Sequence, residues 1–515
     1  PAQTLADGVD YMPTSPAVLM GHHFSSIAGA GPIVGPVIAA AAFGWLPAVV
    51  WIVLGSILIG GVQDFAALAA SLRHQARSVA EIAREEISPL ARLLFLVFVW
   101  LALVYVIVVF VDLTSATFTH DPGVASASLM YILMAVALGL LVYRAGVRLS
   151  RASAIFVPLV FVAIGVGQVW PLSLPLADPA PAWNLILLSY CLIASVLPVW
   201  LLLQPRDYLS SFLLYACLGG GVLGIVLGGG ALDPEVAPLP AFAGWSDPNL
   251  GLLFPAMFIT IACGACSGFH SIVASGTTAK QLASEAHARP VAYGGMLLEG
   301  VLGLLSVSAV VLVGTRAAAG MAPTVVFSQG LGRILAALGL PEAVGAHFAA
   351  LAISTFLLTT LDTCTRLARY VLEELLSLPR GRKAPALLAT LATLALPALL
   401  TQITLHLPDG TPAPAWKVIW PVFGATNQLL GALAMLAITI WLRNRGRRHA
   451  FVAVPMLLMF GVTLVALAQL AWRYTPLTLI GAIAAALFVL ALILASEAIR
   501  HVLNAATPDT GPAAG

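Results

Sequence analysis

The first apolar stretch of the chain carries polar side chains beside residues that interrupt helices. These residues are, in order, His22, His23, Ser25, Ser26, Gly29, Gly31, Pro32, Gly35 and Pro36. Because proline lacks an N–H and glycine is conformationally loose, we expect the helix to open near Gly29–Pro32. Hydrocarbon tolerates open backbone only where protein or a water-filled cavity surrounds it, so an interrupted span predicts a binding site in the middle of the membrane. The alternative is a proline kink that serves only packing.

The adjacent histidines are candidates for proton transfer as well as for substrate binding. Histidine titrates near physiological pH, which suits coupling to protons. Neighbouring side chains point about 100° apart on a helix, so His22 and His23 cannot both face one cavity. The alternative is a pair of interfacial histidines bonded to main-chain carbonyls. A zinc site would need further ligands at metal spacing, and none is close in sequence, so we expect no metal and no other cofactor.

A second polar stretch lies at the end of the eighth apolar segment. Its members are Ser267, His270, Ser271, Ser275, Thr277 and Thr278. Hydroxyls at this density can coordinate a cation or bond a carboxylate, and they can also donate to carbonyls of their own helix. We interpret the first three residues as substrate-binding and the last three as ion-coupling.

Carboxylates inside apolar segments are costly and are therefore functional candidates. Asp64 and Glu299 are of this kind. Such a group can carry a coupling proton where its surroundings favour the neutral acid. The alternative for Asp64 is an ion pair with a nearby arginine, Arg73 or Arg77.

Five further polar residues lie at or inside apolar segments. Asp362 is a third ion-coupling candidate, and its alternative is an ion pair with Arg366 one helical turn later. Arg206–Asp207 follows a break predicted inside the sixth segment at 196–199, and we expect this pair at the cytoplasmic mouth as a gate or an anchor. Asn427–Gln428 needs partners in hydrocarbon, either a neighbouring helix or the substrate, and is assigned to substrate binding.

The composition is that of a helical membrane protein. Of the 515 residues, 60% are hydrophobic and 9% are charged, and the mean hydropathy is +1.00. The net charge of +2 comes with short basic clusters beside apolar segments. Those clusters are typical of topology signals, so no nucleic-acid partner is expected. All five cysteines lie in apolar runs, which argues against a disulfide framework, and Cys263 and Cys266 have redox spacing inside a predicted membrane span. No cleavable signal is visible.

Apolar segments of about 20 residues span a bilayer, and the sequence predicts fourteen. They cover 16–43, 47–71, 90–112, 124–143, 152–170, 183–204, 208–231, 250–277, 291–314, 343–364, 384–406, 418–442, 450–471 and 477–499. If the first span enters from the cytoplasm, 20 of the 24 lysines and arginines lie inside, and the four outside are Arg316, Arg333, Lys417 and Arg473. This asymmetry predicts that both ends of the chain are cytoplasmic. Short helices are also predicted in the loops at 78–87, 366–376 and 324–340.

Seven short motifs occur in order along the chain. They are Gly21 to Phe24 with Ile27 to Pro32, Val62 to Phe65, Leu197 to Trp200, Pro205 to Tyr208, Ser267 to Ser271, Ser275 to Thr278, and Phe423 to Gln428. In this order they resemble the carbon starvation protein A (CstA) family. The resemblance implies a bacterial or archaeal cytoplasmic-membrane protein linked to peptide uptake during carbon starvation, with relatives described as proton-driven pyruvate symporters.

The resemblance also implies the architecture. We expect an all-α polytopic protein of about 14 transmembrane helices, with broken helices and a LeuT/APC-like core of inverted five-helix repeats. The expected parts are an N-terminal segment (1–15), a first repeat of spans one to five (16–170), a second repeat of spans six to ten (183–364), four additional spans (384–499) and a cytoplasmic tail (500–515). Family members usually carry two more helices before the first motif, and the outside loop near 314–343 is shorter here than in some relatives.

Together these observations predict a secondary active transporter rather than an enzyme. Its expected substrates are small carboxylate-bearing nutrients, peptides or pyruvate, and a carboxylate would meet the exposed N–H groups of Ala30–Ile33. A proton is the expected coupling ion and sodium is the alternative. A non-transporting membrane sensor is the alternative class, although the sequence contains no signalling domain. The expected partners are the lipid bilayer, the substrate and the coupling ion. The sequence is also compatible with an oligomer.

Overall fold

The computed structural model describes residues 2–6, 11, 13–198, 200–228, 239–314, 320–378, 383–407, 410–474 and 478–504. This part of the chain is almost entirely helical, which confirms the predicted all-α class. The only strands in it form two short antiparallel hairpins, β1 (Ser246–Asp247) with β2 (Gly251–Leu252) and β3 (Leu405–His406) with β4 (Pro412–Ala413).

The helices follow the predicted apolar segments. The first half contains α1 (Pro16–Ile27), α2 (Gly31–Phe43), α3 (Trp45–Gly55), α4 (Gly61–Arg73), α5 (Val79–Glu86), α6 (Pro89–His120), α7 (Pro122–Tyr143), α8 (Leu149–Val169), α9 (Ala180–Val196) and α10 (Leu203–Val226). The second half contains α11 (Leu253–Thr260), α12 (Gly268–Val273), α13 (Ala279–Gln281), α14 (Gly294–Val313), α15 (Pro323–Ala336), α16 (Glu342–Leu375), α17 (Lys383–Leu400), α18 (Ala415–Asn444), α19 (Ala450–Arg473) and α20 (Leu479–Asn504).

Ten described helices are long and apolar enough to cross a membrane, and the bent pair α1–α2 makes an eleventh. Shorter apolar helices, α9 and α17, and the discontinuous segment α11 to α13 occupy the three remaining predicted positions. Each of the fourteen predicted segments therefore coincides with a helix or a helix group. Two predicted loop helices are also present as α5 and α15, whereas 366–376 is the continuous end of α16 and not a separate helix.

Span one is broken between α1 and α2, which meet at an angle of 42°. The open residues are Ala28–Ala30, so the opening lies earlier than the predicted Gly29–Pro32. The helix resumes at Gly31 because Pro32 fits the first turn of a helix, where a missing N–H costs nothing. Ile33 already donates to Ala30 O at 3.1 Å. The N–H groups of Ala30 and Gly31 are left without a main-chain partner among the described residues.

Span eight is the second broken span. α11 ends at Thr260 and α12 begins at Gly268, with open backbone between them. The break predicted inside span six is wrong: α9 runs without interruption to Val196 and ends before Pro198, which cannot continue a helix. The described residues between α9 and α10, 197–198 and 200–202, are therefore not helical and belong to the connection between two spans. Segments with wider π-type turns occur at Ser56–Gly60, Ala274–Thr278 and Arg289–Tyr293, in spans two, eight and nine.

The packing places the two longest helices at the centre. α6 and α16 pack against each other and are mostly buried, and α18 packs beside α6. α10 packs against α1 and α16, while α18 packs against α12 and α6. α5 lies beside α6 and α18, and α15 lies beside α16 and α10. α7 and α8 form a hairpin against this core, and α8 keeps most of its surface exposed, as expected of a helix that faces lipid.

Candidate functional site

The breaks of spans one and eight meet in the centre of the molecule. They border a cavity of about 10 Å³. Its walls are Ile27, Gly29, Gly31, Val106, Phe110, Cys263, Phe269, Thr360 and Phe423. A volume of this size corresponds to roughly one water molecule, so the protein is closed around this point. Span eight reaches the cavity through Cys263 and Phe269, while Ser267 is fully buried and is not among the wall residues.

A buried histidine joins two carboxylates beside these breaks. His270 Nδ1 on α12 lies 2.7 Å from Asp64 Oδ2 on α4, and His270 Nε2 lies 2.9 Å from Glu299 Oε2 on α14. All three side chains have no exposed surface. Glu299 also accepts a hydrogen bond from the N–H of Gly264 in the open part of span eight, at 3.2 Å. Three candidate residues from three predicted spans thus form one cluster.

This arrangement decides the alternative that was open for Asp64. Arg73 pairs with Glu285 at 2.8 Å, and Arg77 pairs with Glu85. Both pairs are exposed and lie at the end of α4, away from the cluster. The interpretation of Asp64 as an arginine partner is therefore wrong, because the imidazole of His270 occupies that place.

The two adjacent histidines contact different parts of the protein. His22 Nδ1 lies 2.9 Å from Asp207 Oδ2 on α10, whereas His23 Nδ1 lies 2.8 Å from the hydroxyl of Thr278. Both imidazoles are buried. Their Nδ1 atoms contact side chains and not the main-chain carbonyls of the interfacial alternative.

Arg206 and Asp207 lie near the start of α10 and are fully buried, so neither side chain is exposed at a surface. Arg206 donates to Asp207 Oδ1 at 3.0 Å and forms an ion pair with Asp362 on α16. Asp362 also accepts a hydrogen bond from the hydroxyl of Tyr190 at 2.7 Å. Asp362 therefore pairs across helices with Arg206, because α10 and α16 pack directly together. Arg366, its expected partner, donates to the carbonyl oxygens of Ala194 and Leu197.

Three amides brace the open backbone of span eight. Asn427 Oδ1 accepts a hydrogen bond from the N–H of Phe269 at 2.9 Å, and its Nδ2 donates to Ser267 Oγ at 3.0 Å. Gln428 Nε2 donates to Phe258 O at 3.2 Å, and Gln63 Nε2 donates to Ser267 O. These contacts replace hydrogen bonds that a continuous helix would make. The polar atoms of Asn427 and Gln428 therefore bond to a neighbouring span, which is one of the two kinds of partner expected from the sequence.

Most of the predicted hydroxyl ligands donate to their own helices. Ser26 donates to His22 O, Ser275 to Ser271 O and Thr277 to Val273 O, each at 2.8 or 2.9 Å. Ser25 donates to Gly21 O and also to the main-chain oxygen of Asp207. Ser271 accepts from Gln63 Nε2 at 3.2 Å. The hydroxyls are thus dispersed over several contacts and do not converge on one point.

A larger cavity of about 280 Å³ opens between α1, α7 and α10. Its walls are Pro13, Thr14, Ser15, Val18, His22, Leu138, Val142, Tyr143, Leu149, Gln204, Pro205, Tyr208 and Gln281. We call this cavity the vestibule. His22 belongs to its wall and also touches Asp207, so it stands between the vestibule and the buried Arg206.

Comparison with known proteins identifies the family. The sequence profile described as "Carbon starvation protein CstA" matches residues 1–326 and 312–466. The chain belongs to the CstA family. It is 35% identical to the peptide transporter CstA of Escherichia coli K12 over 88% of this chain and 73% of that protein. It is 32% identical to the pyruvate/proton symporter BtsT of the same organism, over 85% and 72% of the two chains.

Solved structures give the fold of this CstA-family protein. The Eremococcus coleocola manganese transporter, bound to an aromatic bis-isothiourea compound, superposes with a TM-score of 0.56 at 12% identity. That match covers 97% of this chain and 98% of the other. Mhp1, a nucleobase-cation-symport-1 family transporter, gives a TM-score of 0.50 at 15% identity and covers 95% and 93%. At such identities the likeness concerns the fold alone, which is the expected LeuT/APC-like one. The chain is a multi-pass membrane protein of the bacterial inner membrane.

Sequence reasoning missed several residues of the CstA-family site. Gln63 stands next to Asp64 in a family motif, so its position was a usable signal. Tyr190 completes the Arg206 cluster from α9, and Phe110 and Thr360 line the central cavity. These three residues lie in apolar or ordinary helical sequence, and only the packing of distant helices brings them to the site.

The candidate site has two ionic clusters near the closed cavity, whose walls include Phe269, next to His270, and Thr360, two residues before Asp362. Asp64, His270 and Glu299 hold one titratable imidazole between two carboxylates, and a proton gained or lost there changes the net charge by one. A buried charge needs a partner of opposite charge at close range. Gain or loss of a proton in this cluster therefore changes the attraction among Asp64, His270 and Glu299. The second cluster, around Arg206, contains a permanent positive charge.

Proposed function

We propose that this protein is a secondary active transporter that uses protons to import small carboxylate-bearing nutrients, pyruvate or short peptides. The observation that carries the proposal is the buried cluster of Asp64, His270 and Glu299 beside the facing breaks of two spans. The names of the relatives, a peptide transporter and a pyruvate/proton symporter, agree with it in substrate class and in the coupling ion.

The cluster is suited to coupling because its members belong to spans two, eight and nine. Glu299 reaches the open backbone of span eight directly through the N–H of Gly264. When the cluster gains or loses a proton, the attraction between the imidazole and the carboxylates changes, and so does the hold of α14 on the broken span. Proton binding and the shape of the central cavity are thereby linked.

The substrate carboxylate is proposed to bind at the start of α2. The N–H groups of Ala30 and Gly31 lie at the positive end of a helix, where anions are stabilised. The aromatic walls formed by Phe110, Phe269 and Phe423 suit the apolar body of a small acid or peptide. Since the cavity is closed at about 10 Å³, substrate entry requires spans one and eight to move apart.

Sodium remains the second candidate ion, at the hydroxyl-rich end of span eight. The contacts there favour the proton instead. Ser275 and Thr277 donate to their own helix, and Thr278 is bonded to His23. A sodium ion would need several oxygen ligands directed at one point.

Purified protein in liposomes tests the proposal. Labelled pyruvate and a labelled dipeptide are offered under an imposed pH gradient, acid outside, or under an inward sodium gradient at equal pH. Accumulation of one of the two substrates with the pH gradient alone is the expected result. Accumulation only under the sodium gradient would show that sodium, and not the proton, is the coupling ion. A protein that binds either substrate without ever concentrating it would instead support a sensor.

The proposed topology has both ends of the chain in the cytoplasm. It is supported by the 20 of 24 lysines and arginines that then lie inside. The vestibule is consistent with it, because the ends of α7 and α10 that line this cavity flank the predicted inner loops. The vestibule is then the cytoplasmic exit for the substrate.

We propose different bounds for the two inverted repeats from those expected from the sequence, which were spans one to five and six to ten. We infer a first repeat of α1–α2, α3–α4, α6, α9 and α10, and a second of α11–α12, α14, α16, α17 and α18. The supporting observation is matched packing: α10 lies against α1 and α16 as α18 lies against α12 and α6, and α9 meets α17. The hairpin of α7 and α8 is then an insertion. This pairing makes the two broken spans, one and eight, equivalent.

A further inference from the structure

The side chain of Arg206 lies in a pocket of oxygen atoms contributed by three helices. Its Nη2 donates to Asp207 Oδ1 at 3.0 Å and to Thr359 O at 3.3 Å. Its Nη1 donates to Tyr190 Oη at 2.9 Å and to Leu358 O at 3.3 Å. Asp362 Oδ2 completes the set by ion pairing with Nη1. We call these five oxygen atoms the oxygen cage.

The chemistry of the oxygen cage is that of a site for a hard cation. Two carboxylates, two main-chain carbonyls and one hydroxyl are ligand types that such ions prefer. Tyr190 directs its proton to Asp362 at 2.7 Å, so its oxygen lone pairs are free to face the positive charge. Asp362 Oδ1 and the hydroxyls of Thr359 and Thr363 are also buried without a hydrogen-bond partner within the described residues.

The cage has neighbours in the walls of both the vestibule and the central cavity. Asp207 presents its other carboxylate oxygen to His22, which lines the vestibule. Thr360, next to the cage carbonyls on α16, lines the central cavity beside Gly29. A positive charge at this place therefore holds α10 and α16 together beside the break of span one. Without it, the two carboxylates would repel each other.

We propose that the oxygen cage is a cation site whose occupant is the protein's own Arg206, and that a small monovalent cation binds there when this side chain is removed. The guanidinium is covalently attached and permanently charged, so it never leaves the cage in exchange for a dissolved ion. The transporter consequently needs no sodium at this junction. The inference deepens the proposed coupling by protons, since it explains how this junction keeps its positive charge without sodium.

Three variants separate a cation site from a merely structural arginine. Arg206→Ala empties the cage and leaves both carboxylates. Arg206→Met removes the charge but fills most of the volume, so a dissolved ion has no room. The double variant Arg206→Ala with Asp362→Asn empties the cage and also removes one of its two negative charges.

The readout is the thermal unfolding midpoint of purified protein in detergent, which does not depend on transport. Sodium chloride, guanidinium chloride at millimolar concentration, calcium chloride and choline chloride are compared at equal ionic strength. For Arg206→Ala, sodium and guanidinium are expected to raise the midpoint saturably by about 4 °C relative to choline, because ligands that bind only the folded state stabilise it. The wild type, Arg206→Met and the double variant are expected to show no difference among these salts.

Several outcomes would overturn the proposal. One is a midpoint of Arg206→Ala that is equal in all salts, and another is an equal sodium response in the double variant. A response to calcium without one to sodium or guanidinium would exclude a monovalent site. If Arg206→Ala cannot be purified in choline, its monodisperse yield becomes the readout. Recovery restored by sodium or guanidinium supports the cage, and equal loss in all four salts contradicts it.

The experiment is independent of the proposed function. A wild type that ignores the pH gradient in liposomes would contradict coupling by protons and leave the unfolding midpoints unaffected. Conversely, if the unfolding midpoint of Arg206→Ala does not respond to cations, the proposed cation site is contradicted. The proposal of pH-driven uptake by the wild type is then unaffected.

Discussion

At the residue scale, the two breaks touch through atoms that leave no room for a side chain. A Cβ built on Gly31 would lie 2.3 Å from Cys263 Cβ, and one on Gly29 would lie 2.6 Å from Thr360 Oγ1. Both distances are far below van der Waals contact. Glycine is therefore required at position 31 by the close approach of spans one and eight, and at position 29 by the close approach of α16 to span one.

Gly31→Ala is expected to insert normally but to lower substrate exchange by about tenfold, because a displacement of about 1 Å at a binding site costs at least that much. Exchange is measured in liposomes without any ion gradient. Adding Cys263→Gly removes the clashing atoms and is expected to restore most of the rate. Gly165→Ala is the matched control, since nothing lies within 4 Å of its added Cβ. Failure of the second substitution to restore exchange would argue against this contact as the cause.

Asp64→Asn is expected to lose uptake driven by the pH gradient while retaining exchange. The amide keeps the shape of the side chain but cannot take up a proton, so binding survives and coupling does not. Asp112→Asn serves as the control, because Asp112 is also a buried carboxylate but accepts a hydrogen bond from Trp416 at the start of α18, at 2.9 Å, away from the cluster. If Asp64→Asn still concentrates substrate under a pH gradient alone, a residue other than Asp64 carries the coupling proton.

At the element scale, a broken membrane helix persists because other helices satisfy its backbone. Asn427 on α18 and Gln63 on α4 supply donors and acceptors to the open part of span eight. In hydrocarbon no water can take their place, so the break and its two neighbouring helices form one structural unit. Asn427, which the sequence suggests as a substrate-binding residue, thus has a structural role in holding the broken span in place.

Asn427→Ala is expected to lower the free energy of unfolding by about 1–3 kcal/mol, the usual cost of leaving buried polar groups without partners. The N–H of Phe269 and the hydroxyl of Ser267 both lose a partner. The unfolding midpoint in detergent measures the effect. Asn249→Ala in the exposed β1–β2 hairpin is the control and should change the midpoint little. An Asn427→Ala protein as stable as the wild type would show that this bracing is dispensable.

Asp121 joins three helices at one end of the bundle. It caps α7 by accepting from the N–H of Gly123 at 3.0 Å, and it also contacts Gln168 on α8 and His347 on α16. Asp121→Ala is expected to cost more than the roughly 1 kcal/mol of a lost cap, because two cross-helix contacts are lost with it. Asp247→Ala, which removes only local hairpin contacts, is the comparison. Equal unfolding midpoints for the two variants would contradict the cross-helix contribution.

At the scale of the whole molecule, the proposed orientation rests on the distribution of charge. The basic loops predicted inside lie at the same end of the helices as the vestibule, whose walls include Tyr143 and Gln204. The central cavity is closed while the vestibule is open toward that end. Under the proposed function, the vestibule is the exit path for the substrate.

Single introduced cysteines test the orientation. All five native cysteines are buried, so a membrane-impermeant maleimide added to whole cells should react chiefly with the introduced ones. Asp178→Cys and Asp247→Cys are expected to be labelled from outside, and Arg148→Cys and Lys280→Cys only after the cells are opened. The opposite pattern would invert the topology and place the vestibule at the outer face.

The sequence by itself determined the membrane class, the fourteen helical segments, the family and the break in span one. These follow from local properties: hydropathy over a span, the missing N–H of proline and the freedom of glycine. The tertiary structure alone decided which charges meet. His270 lies between Asp64 and Glu299, and Arg206 meets Asp362, because helices far apart in sequence pack together. These ion pairs form across helices, and spacing along one helix does not reveal them.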